Sequence, residues 1–271
     1  MCKIISLVNH NRLVTICGFP GIGKTTIAKS VGFFLEEREK FSDGIMYISM
    51  SRRYQANMLI TQLYHLIKKQ LSLEELERLN KMTKLNQKQE DLSARILPKN
   101  DMELDEAFEV ELSINQADLD KIIYCLSEKN VLIIIDNIED PLNSDAKNLK
   151  VILEQLLDKC ESIKFLSTSR LCLEKIGNTE ESSYLLKELS HYYSVRLFFE
   201  KAKMDIDIVQ IVELLKADDI DVNEAEFAGK QSPYFLKMLE NHSLFKKLSG
   251  HPHAISLIAQ LAKDSSLVEI Y

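Results

Sequence analysis

Eight consecutive residues carry the densest chemistry in this sequence: Gly18-Phe-Pro-Gly-Ile-Gly-Lys24-Thr25. They fit the pattern G-x-x-x-x-G-K-[ST] at every fixed position. A polyphosphate tail needs several donors converging on one point. Backbone N–H groups from about Gly21 through Ile22 to Thr26 can curl into such a nest, at the positive end of a helix dipole. Gly21 and Gly23 let the backbone approach phosphate oxygens with no Cβ in the way. Lys24 brings a positive charge to the β- and γ-phosphates, and the Thr25 hydroxyl is placed to ligate Mg²⁺. The plainer alternative, a glycine-rich turn with an exposed lysine, fits the flanking strand and helix less well.

A cation held this way needs a second partner at the end of a neighbouring strand. Asp136 closes the aliphatic run Val131-Leu-Ile-Ile-Ile135, so apolar burial ends in a carboxylate at the mouth. Asn137-Ile-Glu139-Asp140 follow. Glu139 has two readings of equal standing: it orients an attacking water, or it is a turn acid before Pro141. In Lys164-Phe-Leu-Ser-Thr-Ser-Arg170, small hydroxyl residues end a strand-like run. That end lines the ligand crevice in an open α/β sheet, so Arg170 is a candidate bidentate donor to a γ-phosphate. His251 and His253 flank Pro252. Without cysteine or clustered acid nearby, they are not predicted to ligate a metal.

These groups need strands that end where they stand. Leu13–Cys17 is a β-rich run leading into Gly18, and residues 25–38 read as the helix that follows. Residues 44–49 read as a second strand. Residues 55–70 form a helix with Met58, Leu59, Leu63, Leu66 and Ile67 on one apolar face. Ser72 with Glu75 is a capping-box pattern. A helix over 116–127 precedes the run 131–135, which is apolar throughout, as in strands covered on both faces. A helix over 145–159 and short strands over 163–167 and 184–186 complete the pattern. Strands alternating with helices imply βαβ units and a parallel sheet. After Ser190 only helical periodicity remains, over 191–203, 206–216, 234–247 and 253–263. The expected organisation is an α/β domain over 1–189 and a helical domain over 190–271.

Residues 82–115 lack periodicity and hold four bases against eight acids, which predicts a solvated acidic insertion in the first domain. The whole chain of 271 residues has 34 Lys plus Arg against 41 Asp plus Glu, a net charge of −7. That balance speaks against a whole-chain nucleic-acid binder, which needs a basic face. No aliphatic run approaches the ~18 residues of a membrane span. The five cysteines are scattered, with no Cys-x-x-Cys pair. They predict neither a zinc site nor a disulfide framework, but a reducing, cytoplasmic setting.

Taken in order, these residues resemble the nucleotide-binding module of the STAND class of P-loop NTPases, most closely the NB-ARC type of apoptotic and immune-receptor proteins. Gly18 to Thr26, with Gly-Ile-Gly-Lys-Thr-Thr, is similar to the family's phosphate loop. Leu132 to Asp140 looks like its Walker B segment, and Phe165 to Arg170 resembles its sensor strand. Leu185-Leu186-Lys-Glu-Leu189-Ser190 followed by Leu197-Phe198 is similar to the link into its helical domain. Leu248-Ser-Gly250-His251-Pro252-His253-Ala254 is similar to the Gly-x-Pro motif of that domain.

The resemblance implies a three-layer P-loop α/β sandwich followed by a small helical domain. It implies ATP or ADP with Mg²⁺ between them, adenine as the base, and Pro252 packed near that base. It also implies a signalling switch in which nucleotide state sets domain arrangement, self-association on activation, and protein partners acting through sensor and effector regions. Three features depart from the family pattern. Asn137 stands where immune-receptor members carry a second acid. Only twelve residues precede the first strand, without the upstream motif that helps hold the adenine. The chain ends soon after Gly-His-Pro, so it reads as a core fragment or an unusually short member. Three functions stay open: a switch with slow or absent hydrolysis, an active AAA+-like ATPase or phosphotransferase, and a scaffold that holds ADP permanently.

Overall fold

The computed structural model describes residues 1–70, 114–202, 208–219, 232–262 and 269. Five parallel strands form one sheet in the order β2-β3-β4-β1-β5: β1 Leu13–Cys17, β2 Ile45–Ser49, β3 Leu132–Asp136, β4 Lys164–Ser169 and β5 Ser182–Leu185. Every residue of β1 and β3 is buried, and β4 is buried after Lys164. These are the strands that read as continuous apolar or small-residue runs, as central parallel strands do. The edge strands β2 and β5 alternate instead, because one side of each pleat is less covered.

Register decides what meets at the strand ends. Leu13 lies beside Phe165 and Cys17 beside Ser169. Ile135 lies beside Ser167 in the β3–β4 pair, and Ser49 lies beside Asp136 in the β2–β3 pair. The tips of β1, β2, β3 and β4 therefore share one edge, with the hydroxyl-rich end of β4 between the ends of β1 and β3.

Helices cover the sheet. A continuous core joins α3 Asn57–Gln70, α4 Gln116–Leu126 and α6 Ala146–Lys159 to Met46, Ile48, Ile133, Ile135 and Phe165. Leu59, Ile60, Leu63 and Ile67 form the buried stripe of α3; Met58, expected on it, is 42% exposed. The helix α2 Lys24–Glu36 lies so close to β3 that a Cβ on Gly32 would stand 2.8 Å from Ile134 Cδ1.

Two helices in this part escape the sequence reading. In α1 Cys2–His10 only Ile4 and Val8 are fully buried, a signal too short to stand out. Lys164 secures its end by donating to the carbonyls of Val8 and Asn9, both at 2.7 Å. The short α5 Glu139–Ser144 accepts Pro141 within its first turn, where no N–H is required. Arg12 donates to the carbonyls of Leu157, Cys160 and Ile163 and so closes the end of α6. The capping box at Ser72 and residues 82–113 of the acidic insertion lie outside the described residues.

The chain divides into two compact units, Met1–Cys17 with Thr25–Leu185, and Gly18–Lys24 with Leu186–Tyr271. The second unit carries α7 His191–Ala202, α8 Ile208–Ala217, α9 Ser232–Leu239, α10 Ser243–Lys247 and α11 Pro252–Leu261. Its core gathers Val195, Phe198, Leu214, Leu239, Phe245, Ile255 and Ala259. The Phe198 ring meets Phe245 edge-on at 5.5 Å. The span 234–247, expected as one helix, is two, because His242 is buried and caps α10 by accepting from the Leu244 amide at 3.1 Å. No described helix is long and apolar enough to cross a membrane.

Gly250 closes this unit. Its φ is +68°, and a Cβ there would run into the Leu189 carbonyl oxygen. The Leu189 amide donates back to the Gly250 carbonyl at 2.9 Å. Backbone lies on both sides, so no side chain can yield. Gly250→Ala should therefore destabilise the helical unit by roughly 2 kcal/mol or more. Amide hydrogen exchange in α7 and α11 reads this, and unchanged protection would refute it.

Candidate functional site

The phosphate-loop sequence forms the turn its glycines allow. Gly21 has φ +74° and Gly23 has φ +99°, conformations that side chains rarely adopt. A Cβ on Gly23 would meet no atom within 4 Å, so the backbone there faces an open cradle. Ile22 is buried, and its amide donates to the Phe19 carbonyl at 3.3 Å. Lys24 begins α2. Its side chain folds back over the loop and donates to the carbonyls of Gly18 at 2.9 Å and Phe19 at 3.1 Å. Thr25 and Thr26 occupy the first turn of α2, with Thr26 exposed.

The loop Gly18–Lys24 packs within the helical unit through two histidines. A Cβ on Gly21 would stand 2.8 Å from both His251 Cε1 and His253 Cβ. His251 is the N-cap of α11, its Nδ1 accepting from the Ala254 amide at 3.3 Å. That leaves the ring proton on Nε2, which donates to the Pro20 carbonyl at 2.9 Å. Pro252 fills the first turn of α11, the helical position that best tolerates proline.

Asp136 is 7% exposed and accepts from three hydroxyls. Thr25 donates to Oδ1 at 2.7 Å, Thr168 to Oδ1 at 2.6 Å, and Tyr47 to Oδ2 at 3.0 Å. Burial, reinforced by the bond to Asp136 and its charge, pushes the Tyr47 phenol well above its usual range. A buried carboxylate keeps its charge when hydrogen bonds replace lost water. A hydroxyl that gives its proton to a carboxylate keeps lone pairs for a hard cation. Thr25 and Asp136 thus offer the oxygen donors that suit Mg²⁺. Among the described residues no cluster of three His, Cys, Asp or Glu assembles.

Glu139 and Arg170 form a second grouping. Glu139 opens α5 and is 4% exposed. Arg170 Nε lies 3.2 Å from its Oε1, while the arginine side chain is 58% exposed. Between the groupings stands Thr168, which accepts from the Asn137 amide at 2.9 Å as it donates to Asp136. Asn137 has φ +64°, a left-handed position that asparagine tolerates well.

The structure thus brings Thr25 to Asp136, and Glu139 to Arg170. It adds Tyr47 and Thr168, which sequence reasoning passed over, and gives His251, considered there only as a metal ligand, a hydrogen bond to the Pro20 carbonyl. Thr168 had a weak signal as part of Ser-Thr-Ser. Tyr47 had none, because a tyrosine in a β-rich run looks like ordinary strand filler.

Thr168→Val keeps the shape of a buried side chain and strands both the Asn137 amide and part of the Asp136 carboxylate. The expected loss is roughly 1–3 kcal/mol, visible as a lower urea midpoint. A midpoint equal to wild type would show that these bonds contribute nothing.

The sequence model for the NB-ARC domain matches residues 3–178, well over half of the chain. No curated protein matches it in sequence. Among solved structures it is similar to a chain of Drosophila ORC bound to DNA, with TM-score 0.55 and 14% identity, covering 99% of this chain and 62% of that one. It is also similar to a STAND protein with a tetratricopeptide repeat sensor from Pyrococcus horikoshii, with TM-score 0.49 and 17% identity, covering 98% and 30% respectively. A Walker-type ATPase of Pyrococcus abyssi gives TM-score 0.43 at 12% identity, covering 97% of this chain and 71% of that one. The chain thus spans less than two thirds of the first two. At such identities the Drosophila likeness speaks for fold alone. With the family match, the phosphate loop and the five-stranded parallel sheet in agreement, this chain belongs to the NB-ARC domain family of P-loop nucleotide-binding modules.

Proposed function

We propose that the chain is the ADP/ATP-binding module of a STAND-type signalling switch, in which nucleotide state controls domain arrangement and self-association, with slow or absent ATP hydrolysis. The observation that carries this reading is the hydrogen bond from His251 to the Pro20 carbonyl. It ties the loop expected to hold phosphate to the first turn of α11.

The residues assign themselves parts. The backbone from Gly21 through Ile22 and Gly23 to Thr26 would hold phosphate oxygens by N–H donation. Lys24 would exchange the Gly18 and Phe19 carbonyls for phosphate, a stronger acceptor because it is charged. Thr25 and Asp136 would hold Mg²⁺, which supplies charge neutralisation between phosphates. Pro252 would lie against the base, on the family pattern. Withdrawing Lys24 from the Gly18 and Phe19 carbonyls, just before Pro20, would alter the loop that His251 grips, and α11 would feel which nucleotide is bound. Near-complete reversal between two arrangements needs a differential affinity of ~5.5 kcal/mol. Arg170 would sense the γ-phosphate and Glu139 would orient water. Their mutual ion pair keeps both engaged and favours slow turnover. Protein partners and a cytoplasmic location belong to the same proposal. The net charge of −7 favours protein partners over nucleic acid.

Mg-ADP or Mg-ATP at a hundredfold excess over its dissociation constant should stabilise the protein by ~2.7 kcal/mol. Lys24→Ala should abolish most of that shift, and a shift of wild-type size in the variant would sink the site. His251→Ala should retain nucleotide binding but lose the difference between ATP and ADP in α11 hydrogen exchange. If that difference persists, the coupling does not run through His251. Fast, sustained turnover on a defined substrate would instead favour a working ATPase or phosphotransferase, and permanently retained ADP would favour a scaffold.

A further inference from the structure

Two cysteines that lie 155 positions apart in the chain stand side by side, with Cys17 Sγ 3.7 Å from Cys172 Sγ. Cys17 is the last residue of β1, 6% exposed, and Gly18 of the phosphate loop follows it. Cys172 is exposed and lies two residues beyond Arg170. Its neighbours hold it in place. The Leu171 amide donates to Ser169 Oγ at 3.0 Å, the Leu173 amide donates to Glu181 at 3.0 Å, and the Leu173 side chain is fully buried. On the strand side, Cys17 is fixed by pairing with Ser169.

We propose that Cys17 and Cys172 form a reversible disulfide whose closure restrains the loop after Arg170 and weakens the response to ATP. The second clause rests on the nucleotide-switch reading; the bridge itself does not. A disulfide requires sulfurs about 2.05 Å apart. The pair must close by under about 2 Å, within reach of side-chain rotation and a small shift of the irregular segment that follows β4. Exposed Cys172 is the thiol an outside reagent reaches first. Buried Cys17 is the thiol placed to resolve the product.

The oxidant is a low-molecular-weight disulfide such as oxidised glutathione. The Cys172 thiolate attacks one of its sulfurs; the reagent's S–S bond breaks and one glutathione thiol leaves. The Cys17 thiolate then attacks the Cys172 sulfur, and the second glutathione leaves as a thiol. Two protein thiols become one disulfide, one reagent disulfide becomes two thiols, and the two protons pass to the leaving thiols. A reductant of the same class reverses both steps. Pairs that switch in this way are the usual form of disulfide in reducing compartments.

The test uses the whole chain and oxidised glutathione, with peptide mapping by mass spectrometry and titration of Mg-ATP by thermal shift. The expected product is a Cys17–Cys172 peptide, with loss of two of the five free thiols, counted after unfolding, and full recovery on reduction. Cys17→Ser should stop at a glutathione adduct on Cys172. Cys172→Ser, at an exposed position where folding is not at stake, should give neither product. Wild-type protein that accumulates only the Cys172 adduct, or links Cys17 to another cysteine, overturns the bridge. The bridged form should bind Mg-ATP several-fold more weakly than the reduced form. Equal affinity in the two forms overturns the regulatory clause. Reduced protein with no Mg-ATP shift at all marks failure of the nucleotide reading instead, and the mapped peptide then decides the bridge alone.

Discussion

The buried carboxylate of Asp136 organises this molecule's candidate chemistry. Asp136 ends a strand that is otherwise aliphatic and fully covered. In that setting three hydroxyls donate to it and replace the water lost on burial. Each donor comes from a different element: Thr25 from α2, Tyr47 from β2 and Thr168 from β4. The carboxylate therefore fixes the start of the phosphate-loop helix against the sheet and sets the spacing of three strand tips. The same bonds that offset its burial cost place a threonine hydroxyl where a hard cation can use it.

The second constraint lies in the Gly-His-Pro turn, and it concerns backbone. Gly250 accepts a left-handed φ because it carries no Cβ, and Leu189 leaves no room for one. His251 then caps α11 through one ring nitrogen and donates to Pro20 through the other. Pro252 occupies the helix's first turn. Each residue of the triplet thus has a local job, independent of any ligand. A neutral histidine with one donor and one acceptor can serve both bonds at once, which neither leucine nor lysine could do.

Two features shift the reading of the segment that follows Asp136. Glu139, expected to orient water or to act as a turn acid, does start a helix, and it also faces Arg170 across 3.2 Å. Asn137, noted in the sequence for replacing an acid, sits in a left-handed turn and offers its amide to Thr168. Its position therefore has a conformational use, whatever its bearing on chemistry. Cys17 and Cys172 give a similar lesson. Scattered in sequence, they meet because β1 and β4 are neighbours in the sheet.

By itself the sequence determined the local matters. Gly21, Gly23, Lys24 and Thr25 are legible because backbone conformation and residue type are short-range requirements. The buried strands around Ile134 and Leu166 are legible because continuous apolar runs have few other fates. The α1 and α5 helices escaped, since nine and six residues of mixed character carry little periodic signal. Tertiary structure alone decided which hydroxyls reach Asp136, which carbonyl His251 grips and which thiol faces Cys17. The hydroxyl and thiol pairings depend on strand order and register, which are settled by how the whole sheet packs; the His251 bond depends on how the helical unit closes on its loop.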